Sequence, residues 1–376
     1  MRIGKITLDG YYNYGNLLQN YALQQVLLKY ADEVETIWHT KDNFLPQLYW
    51  HSLWKQFIKY LINWKNFRYD FQSGHIGREM VRQGKLRDWA ERYICFRKGV
   101  ENLMSISTEY DYFVTGSDQV WNHGFCDNIY LKNNFLLFAP QEKRISYAAS
   151  ISTPYIPPDK IKIYEEGFKG MRALSLREQA GAELVKQISQ RKANVHIDPT
   201  LLLTTEEWDK VSRVPAWYHG KDYILTYFLG DRPDDVIQRV AKEANLSIVN
   251  LLDDKVYEHY VTGVDEFIWA IKHASLVYTD SFHATVFSIL YHTPFLVCDR
   301  LGNPITEKMG SRIDTLLKLF KLENRRGTIE NGYEIQNVMN SPDWSNISDI
   351  INTEKKRSEE YLMTSLGLKI LNKSNI

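Results

Sequence analysis

The sequence predicts an α/β protein made of two doubly wound halves. Short apolar runs that favour strands alternate with segments of helical periodicity along most of its 376 residues, which is the pattern of βα units on a parallel sheet. At about 100–200 residues per domain, this length favours two domains. The alternation breaks at residues 204–220, where Pro215 and Gly220 interrupt the helical period, so we expect the halves to join there.

The expected strands are runs rich in β-branched and aromatic residues, bounded by turn residues. In the first half they are residues 3–8, 35–38, 110–115, 145–149, 173–176 and 195–197. In the second half they are residues 223–229, 247–251, 276–279 and 295–297.

Helices are expected where apolar residues recur with helical spacing, at residues 17–30, 234–244, 264–274, 284–292 and 311–320. Thr204 and Glu207 have the spacing of a capping box and predict a short helix in the linker. The charged run 353–371 predicts a C-terminal helix that packs back on the first half. We therefore expect domains at 1–205 and 220–350, followed by the segment 351–376.

Composition excludes several classes of protein. The 46 basic residues balance the 46 acidic ones, whereas nucleic-acid binding needs a concentrated basic surface. The three cysteines are too widely spaced for a disulfide framework or a zinc site, and no metal site is expected. We expect a cytoplasmic protein, because we find neither a signal peptide nor an apolar run long enough to span a bilayer.

Residues 51–71 form a basic segment with two possible interpretations. Leu53, Phe57, Leu61, Trp64 and Phe71 approximate one face of a helix. One interpretation is an ordinary surface helix with its aromatic face buried. The other is an interfacial helix that makes peripheral contact with anionic lipid at the inner face of the membrane.

Polar side chains cluster in two turns that follow strands of the first half. Ligands of parallel sheets bind outside the carboxyl ends of strands, and amide and hydroxyl groups suit sugar hydroxyls. The candidates for acceptor binding are Asn13, Gly15, Asn16 and Gln19 in the first turn, and Gly116, Ser117, Gln119 and Trp121 in the second. Asp118 adds a carboxylate to the second turn, and a Trp is a common stacking face for sugars. Asn16 and Asp118 are equally suited to cap a following helix.

A third turn follows the strand at 276–279 and opens an apolar helix. Its Ser281 and Asp280 suit a helix cap, and the free N–H groups of a helix N-terminus attract anions. His283 adds an imidazole that titrates near neutral pH. No Gly-x-Gly-x-x-Gly, Walker, His-Glu-x-x-His or Gly-x-Ser-x-Gly motif occurs.

Five blocks of the sequence together resemble the polysaccharide pyruvyl transferase family. They are residues 13–23, 116–122, 175–178, 198–200 and 279–283, and they stand in the family's order between residue 1 and about residue 320. The resemblance implies a GT-B-like fold, in which two Rossmann-like domains face a cleft. It also implies transfer of the enolpyruvyl unit of phosphoenolpyruvate to two hydroxyls of a sugar, oligosaccharide or lipid-linked glycan, which forms a pyruvate ketal in bacterial capsule or exopolysaccharide synthesis. The reaction needs no metal or other cofactor.

The resemblance also implies roles for particular residues. Arg177 and the block Ser281–His283 match the family positions that are associated with the donor. Independently of the resemblance, His283 is the expected acid/base, because it is the titratable side chain with a pKa near neutrality at the anion-binding helix terminus, and Asp118 is the second catalytic candidate. Ser281 stands where the family usually has an Arg, so Arg312 is a further candidate for neutralising the phosphate. Two alternatives stay open: a GT-B glycosyltransferase that uses a nucleotide sugar, and a non-catalytic glycan-binding relative.

Overall fold

A computed structural model describes residues 1–11, 13–38, 75–302, 310–327 and 339–369. The basic segment 51–71 lies outside these residues, so the structure does not test its two interpretations. Within the described ranges, no helix is both long and apolar enough to cross a membrane.

The described strands belong to two five-stranded parallel sheets and a two-stranded extension. In chain order they are β1 Arg2–Ile6, β2 Glu33–Ile37, β3 Phe96–Arg97, β4 Tyr112–Thr115, β5 Arg144–Ser146, β6 Ser175–Leu176, β7 Asn194–Val195, β8 Tyr223–Tyr227, β9 Ser247–Asn250, β10 Leu276–Thr279, β11 Phe295–Cys298 and β12 Arg326–Gly327.

The described α-helices are numbered in the same way. They are α1 Tyr14–Leu27, α2 His75–Tyr93, α3 Asn128–Asn134, α4 Ile161–Gly170, α5 Gln179–Ser189, α6 Thr205–Asp209, α7 Asp234–Ala244, α8 Tyr257–Tyr260, α9 Val264–Lys272, α10 Phe282–Leu290, α11 Ser311–Phe320 and α12 Ile347–Ser365.

The first sheet has the strand order β3-β2-β1-β4-β5, and single bridges from 145 to 173 and from 149 to 176 join it to the β6–β7 pair. The chain leaves β1 toward β2 on one side and returns to β4 on the other. This reversal of strand order opens a crevice at the carboxyl ends of β1 and β4. The two polar turns of the first half follow these two strands.

The second sheet has the order β12-β11-β10-β8-β9, with every pair parallel. Its strand order reverses between β8 and β10, so its crevice lies where β10 leads into α10. Tyr14 at the start of α1 stacks on Phe267 of α9, with ring centroids 4.3 Å apart, and its hydroxyl donates to the Thr262 carbonyl at 2.8 Å. The two crevices therefore face each other, and the fold is a pair of Rossmann-like doubly wound units around a cleft.

The C-terminal helix α12 lies against the first unit. The Tyr361 hydroxyl donates to the Ser146 carbonyl at 2.8 Å, and the Arg172 Nε donates to the Ser365 carbonyl at 2.9 Å. The helix ends at Ser365 rather than near 371 and begins at Ile347 rather than 353.

Several local predictions are confirmed and others are wrong. The capping box of Thr204 and Glu207 is present at the start of α6. Helix α1 begins at Tyr14 rather than 17, because the cap is Asn13, whose side chain accepts from the Gly15 N–H at 2.8 Å; Asn16 is therefore not a cap. The two-residue strands β3 and β12 were not predicted, because strands this short carry no periodicity. Helix α2 was not predicted either.

We expect the buried imidazole of His196 to make the stability of the fold sensitive to acid. Burial, with a smaller contribution from the charge of Arg357, lowers the pKa of His196 to about 3, and its ring lies 4.6 Å from that of Tyr361 on α12. The folded state excludes a proton that the unfolded state binds below about pH 6.5. Stability is therefore lost as the pH falls from about 6.5 toward 3, by up to about 1.4 kcal/mol per pH unit. In urea unfolding at several pH values, His196→Gln should show a shallower loss than the wild type; equal slopes would contradict this account.

Candidate active site between the two sheets

Helix α1 approaches the second unit through a glycine. A Cβ atom added to Gly15 would lie 2.0 Å from the Nδ1 of His283, which is far inside van der Waals contact. The imidazole therefore occupies the place that a side chain at position 15 would take. Gly15 has a packing role that the sequence did not reveal, because the His is 268 positions further along the chain.

The turn after β4 is held by the first unit itself. Gly116 has a φ of +129°, and a Cβ there would lie 2.0 Å from the carbonyl oxygen of Tyr147. The Ser117 N–H donates to the Gln19 Oε1 at 3.0 Å, while the Gln19 Nε2 donates to Thr7 and Asn16 at 2.9 and 2.8 Å. Ser117 and Gln19 are fully buried, so their polar groups serve the turn.

Trp121 does not offer a stacking face, and this prediction is wrong. Its ring is fully buried and stacks on Phe135 at a centroid distance of 4.9 Å, with Phe168 at its edge. Its Nε1 donates to the Asn134 carbonyl at 3.2 Å. No helix begins at Asp118 either, because residues 117–119 form a bend and residues 120–121 a turn.

The carboxylate of Asp198 accepts hydrogen bonds from three segments of the first unit. Its Oδ2 accepts from the Arg177 Nη1 at 2.7 Å and from the Ser117 Oγ at 3.1 Å. Its Oδ1 accepts from the N–H and Oγ1 of Thr200, at 3.0 and 2.7 Å. Burial alone raises the pKa of Asp198, but His283, Arg177 and Thr200 outweigh that effect and hold it below its usual range. Asp198 is therefore an anion at neutral pH.

His283 reaches this carboxylate from the second unit. Its Nε2 lies 3.4 Å from the Asp198 Oδ2 and has no hydrogen-bond partner among the described residues. Ser281 caps α10, since its Oγ accepts from the Ala284 N–H at 3.4 Å. Asp280 does not join the cap; it accepts from the N–H groups of residues 229 and 230, each at 2.8 Å.

Two buried arginines flank Phe282. The guanidinium carbons of Arg177 and Arg312 lie 4.5 and 5.5 Å from the centre of the Phe282 ring, within the range of cation–π attraction. Their exposures are 3% and 5%, yet the Nε and Nη2 of Arg177 and the Nε of Arg312 have no hydrogen-bond partner among the described residues. Burial and the charge of Arg177 lower the pKa of Arg312 to about 9. Arg177 is partly compensated by Asp198 and Asp118, but both guanidinium groups still have donors available for hydrogen bonds.

A cavity of about 520 Å³ opens beside this pair. Its lining includes Arg177, Asp198 and Phe282, together with Arg312 of α11. His283 does not line the cavity itself. It follows Phe282 in the sequence, and its Nε2 lies 3.4 Å from Asp198, and both of these residues line the cavity.

The structure brings together one part of the predicted site and separates another. Arg177, Phe282 and Arg312 line the cavity together with Asp198, and the Asp118 Oδ1 lies 3.8 Å from the Arg177 Nη2. His283 lies 3.4 Å from Asp198, and Ser281 caps the helix that carries Phe282 and His283. Asn13, Asn16 and Gln119 instead have hydrogen bonds within their own turns. The sequence analysis names Asp198 only within the block 198–200 and gives it no role of its own. The feature that could have indicated its role is its position directly after a predicted strand.

The fold and this site define a two-unit α/β protein that presents cations and an imidazole to a cleft. The chain belongs to the polysaccharide pyruvyl transferase family, whose sequence model matches residues 13–302. The membership supports a transferase of polysaccharide biosynthesis, and the resemblance noted in the sequence is confirmed. No curated protein matches the chain.

Several solved structures match the chain at low identity, each with a TM-score below 0.5. MnaA of S. aureus in complex with UDP is 11% identical with a TM-score of 0.47, and the alignment covers 100% of this chain and 99% of that one. UDP-GlcNAc 2-epimerase from Neisseria meningitidis bound to UDP-GlcNAc is 10% identical, with a TM-score of 0.46 and coverage of 97% and 99%. Alr3699/HepE of Anabaena in complex with UDP is 10% identical, with a TM-score of 0.45 and coverage of 97% and 100%. A likeness of this degree says nothing about the activity of this chain.

Two glycine substitutions should change stability in opposite directions. Gly15→Ala places a methyl group in the His283 ring and should cost about 1–3 kcal/mol through overpacking. Gly84→Ala is the matched control, because Gly84 lies within α2 and a Cβ there meets no atom within 4 Å. That change should stabilise the protein by about 0.5–1 kcal/mol. Urea unfolding measures both, and a Gly15→Ala variant as stable as the wild type would show that His283 does not pack there.

Proposed function

We propose that the protein transfers the enolpyruvyl unit of phosphoenolpyruvate to two hydroxyls of a sugar and so forms a pyruvate ketal. The observation that carries the proposal is the pair of buried arginines beside Phe282, with unused N–H donors at the edge of a cavity. Arg177 is paired with Asp198, but Arg312 is buried and is repelled by the charge of Arg177, and an anion in the cavity would offset that cost and engage the open donors of both groups. Phosphoenolpyruvate supplies a phosphate and a carboxylate, each of which suits the planar donors of an arginine.

Arg312 replaces the cation that the family usually has at position 281. Ser281 is neutral and its hydroxyl already caps α10, so it cannot neutralise a phosphate. Arg312 comes instead from α11, and its guanidinium lies against the same Phe282 ring as that of Arg177. The helix N-terminus at Ser281 adds its dipole to these two charges.

The reaction balances without a cofactor. One sugar hydroxyl and then a second form bonds to C2 of the donor, while the bond from C2 to the phosphate oxygen breaks. One hydroxyl proton goes to the methylene carbon, which becomes a methyl group, and the other leaves with the phosphate.

His283 is the group that moves protons in this proposal, and Asp118 is the second candidate. The Nε2 of His283 lies 3.4 Å from the Oδ2 of Asp198, which lines the cavity, and a general acid–base group is needed near the donor. Asp198 acts as a positioning residue, because it holds Arg177 by a hydrogen bond and lies 3.4 Å from the imidazole.

Product analysis tests the proposal directly. The purified protein is incubated with phosphoenolpyruvate and a panel of glycosides, and free phosphate and the mass of each glycoside are measured. We expect phosphate release that depends on one of the glycosides, together with the mass gain of a pyruvate ketal. No ketal formed with phosphoenolpyruvate, together with sugar transfer when a nucleotide sugar replaces it in the same assay, would overturn it.

The donor should depend on both arginines. Arg177→Lys and Arg312→Lys keep the charge but lose the paired donors of the guanidinium, so each should weaken phosphoenolpyruvate binding about tenfold or more in calorimetry. Arg239→Lys is the matched control, since Arg239 is exposed on α7. Unchanged affinity in both test variants would exclude this donor site.

His283 should matter for turnover more than for folding. His283→Gln keeps a polar side chain of similar size but cannot move a proton, so turnover should fall at least about tenfold while the unfolding transition persists. His219→Gln, at an exposed histidine, is the control. Near-normal turnover in His283→Gln would assign the proton transfer to another group and make Asp118 the first to test.

A further inference from the structure

The cavity has two walls of different origin. Arg177, Asp198 and Phe282 belong to residues 13–302, the part of the chain that matches the family. Other lining residues come from α11 and α12, which lie beyond residue 302. One wall is therefore built from the part shared with the family and the other from the part outside that match.

The turns that the sequence suggested for the acceptor are largely committed to the fold. Gln19, Ser117 and Trp121 are fully buried, and each has hydrogen bonds to its own unit. Asn13 caps α1. A sugar bound at these turns would have to break contacts that hold the turns in place.

The part of the cavity lined by α11 and α12 has both apolar and hydrogen-bonding groups, which a sugar ring and its hydroxyls require. Leu316 and Leu319 supply an apolar surface, and Thr315, Glu354 and Arg357 supply polar groups beside it. The side chain of Glu354 is 12% exposed and lies 2.8 Å from the Arg357 Nη2, and the Arg357 guanidinium also donates to the Val195 carbonyl. An anchored carboxylate–guanidinium pair can accept from one hydroxyl and donate to its neighbour, while the ring of a hexose has an apolar face for the leucines.

The volume also exceeds what the donor fills. At about 520 Å³ the cavity falls within the range of about 300–1,000 Å³ found for sites that enclose drug-sized ligands. Phosphoenolpyruvate is a three-carbon phosphate, so its binding at Arg177 and Arg312 leaves room in the cavity for a second ligand.

We infer that the wall formed by α11 and α12 binds the acceptor sugar, with Glu354 and Arg357 on its hydroxyls and Leu316 and Leu319 beneath its ring. Acceptor specificity then resides in the part of the chain outside the family match, while the donor is held by the matched part and Arg312. The identity of the ligand as a sugar acceptor rests on the proposed function.

The test separates sugar binding from donor binding. Saturation-transfer NMR measures binding of p-nitrophenyl hexopyranosides of galacto, gluco and manno configuration in the absence of phosphoenolpyruvate, and calorimetry measures phosphoenolpyruvate alone. Glu354→Gln removes the carboxylate charge, and Thr315→Trp fills the same wall from α11. Glu360→Gln is the matched control on α12, because Glu360 is exposed and does not line the cavity.

We expect one or more glycosides to bind the wild type, with affinity reduced about tenfold in Glu354→Gln and in Thr315→Trp. Phosphoenolpyruvate affinity should change less than about twofold in either, and Glu360→Gln should match the wild type in both measurements. The inference is overturned if no glycoside of the panel binds, if the two variants bind glycosides normally, or if they lose phosphoenolpyruvate in the same proportion. Glycoside binding lost in the variants, with no phosphoenolpyruvate binding even in the wild type, would keep the sugar site and reject the proposed donor.

Discussion

The buried carboxylate of Asp198 is the contact on which the site depends. It accepts from Ser117 and Arg177 of its own unit and lies 3.4 Å from the His283 Nε2 of the other. Removing one partner of a buried ion pair costs about 3–5 kcal/mol, because the other charge is left in the interior. The turn after β4, the strand-end arginine and the start of α10 are therefore held in one geometry by one residue. Gly15 completes the junction, since only a residue without a side chain lets the imidazole approach α1.

The charged groups at this junction indicate a ligand-binding site and not only a packing interface between the two units. Asp198 satisfies one nitrogen of Arg177, whereas the Nε of Arg177 and the Nε of Arg312 have no hydrogen-bond partner in the described part of the chain. The Nη2 of Arg177 lacks a hydrogen bond as well, although the Asp118 carboxylate lies 3.8 Å from it. Buried donors are normally satisfied, and each unsatisfied one costs about 1–3 kcal/mol. Cation–π contact with Phe282 offsets only a part of this cost, at about 0.5–2 kcal/mol for each arginine. An anion in the cavity would satisfy both groups at once.

Sequence reasoning located the strand ends but not the contacts across them. The polar turns after β1, β4 and β10 could be predicted, because each follows an apolar strand and ligands collect at such ends. Ser281 was correctly placed as a cap, since hydroxyl side chains favour that position. Trp121 was misplaced because the same aromatic residue suits a sugar platform and a core, and only its packing on Phe135 decides between them.

The rest of the site required the tertiary structure. The contact of Asp198 with His283 joins residues from different units, and no periodicity reports such a pair. Lys5 is a further case: it is fully buried in β1, where burial lowers its pKa well below the usual value, although a lysine in a strand ordinarily indicates a solvent-facing position.

The central claim is that the Arg177–Arg312 pair receives the phosphate of phosphoenolpyruvate. A crystal structure of the protein with phosphoenolpyruvate bound tests it most directly. The account predicts phosphate oxygens within hydrogen-bond distance of both guanidinium groups, with the enol carbon facing the Asp198–Phe282 edge of the cavity. A phosphate bound elsewhere, with no phosphate oxygen near either guanidinium group, would contradict it.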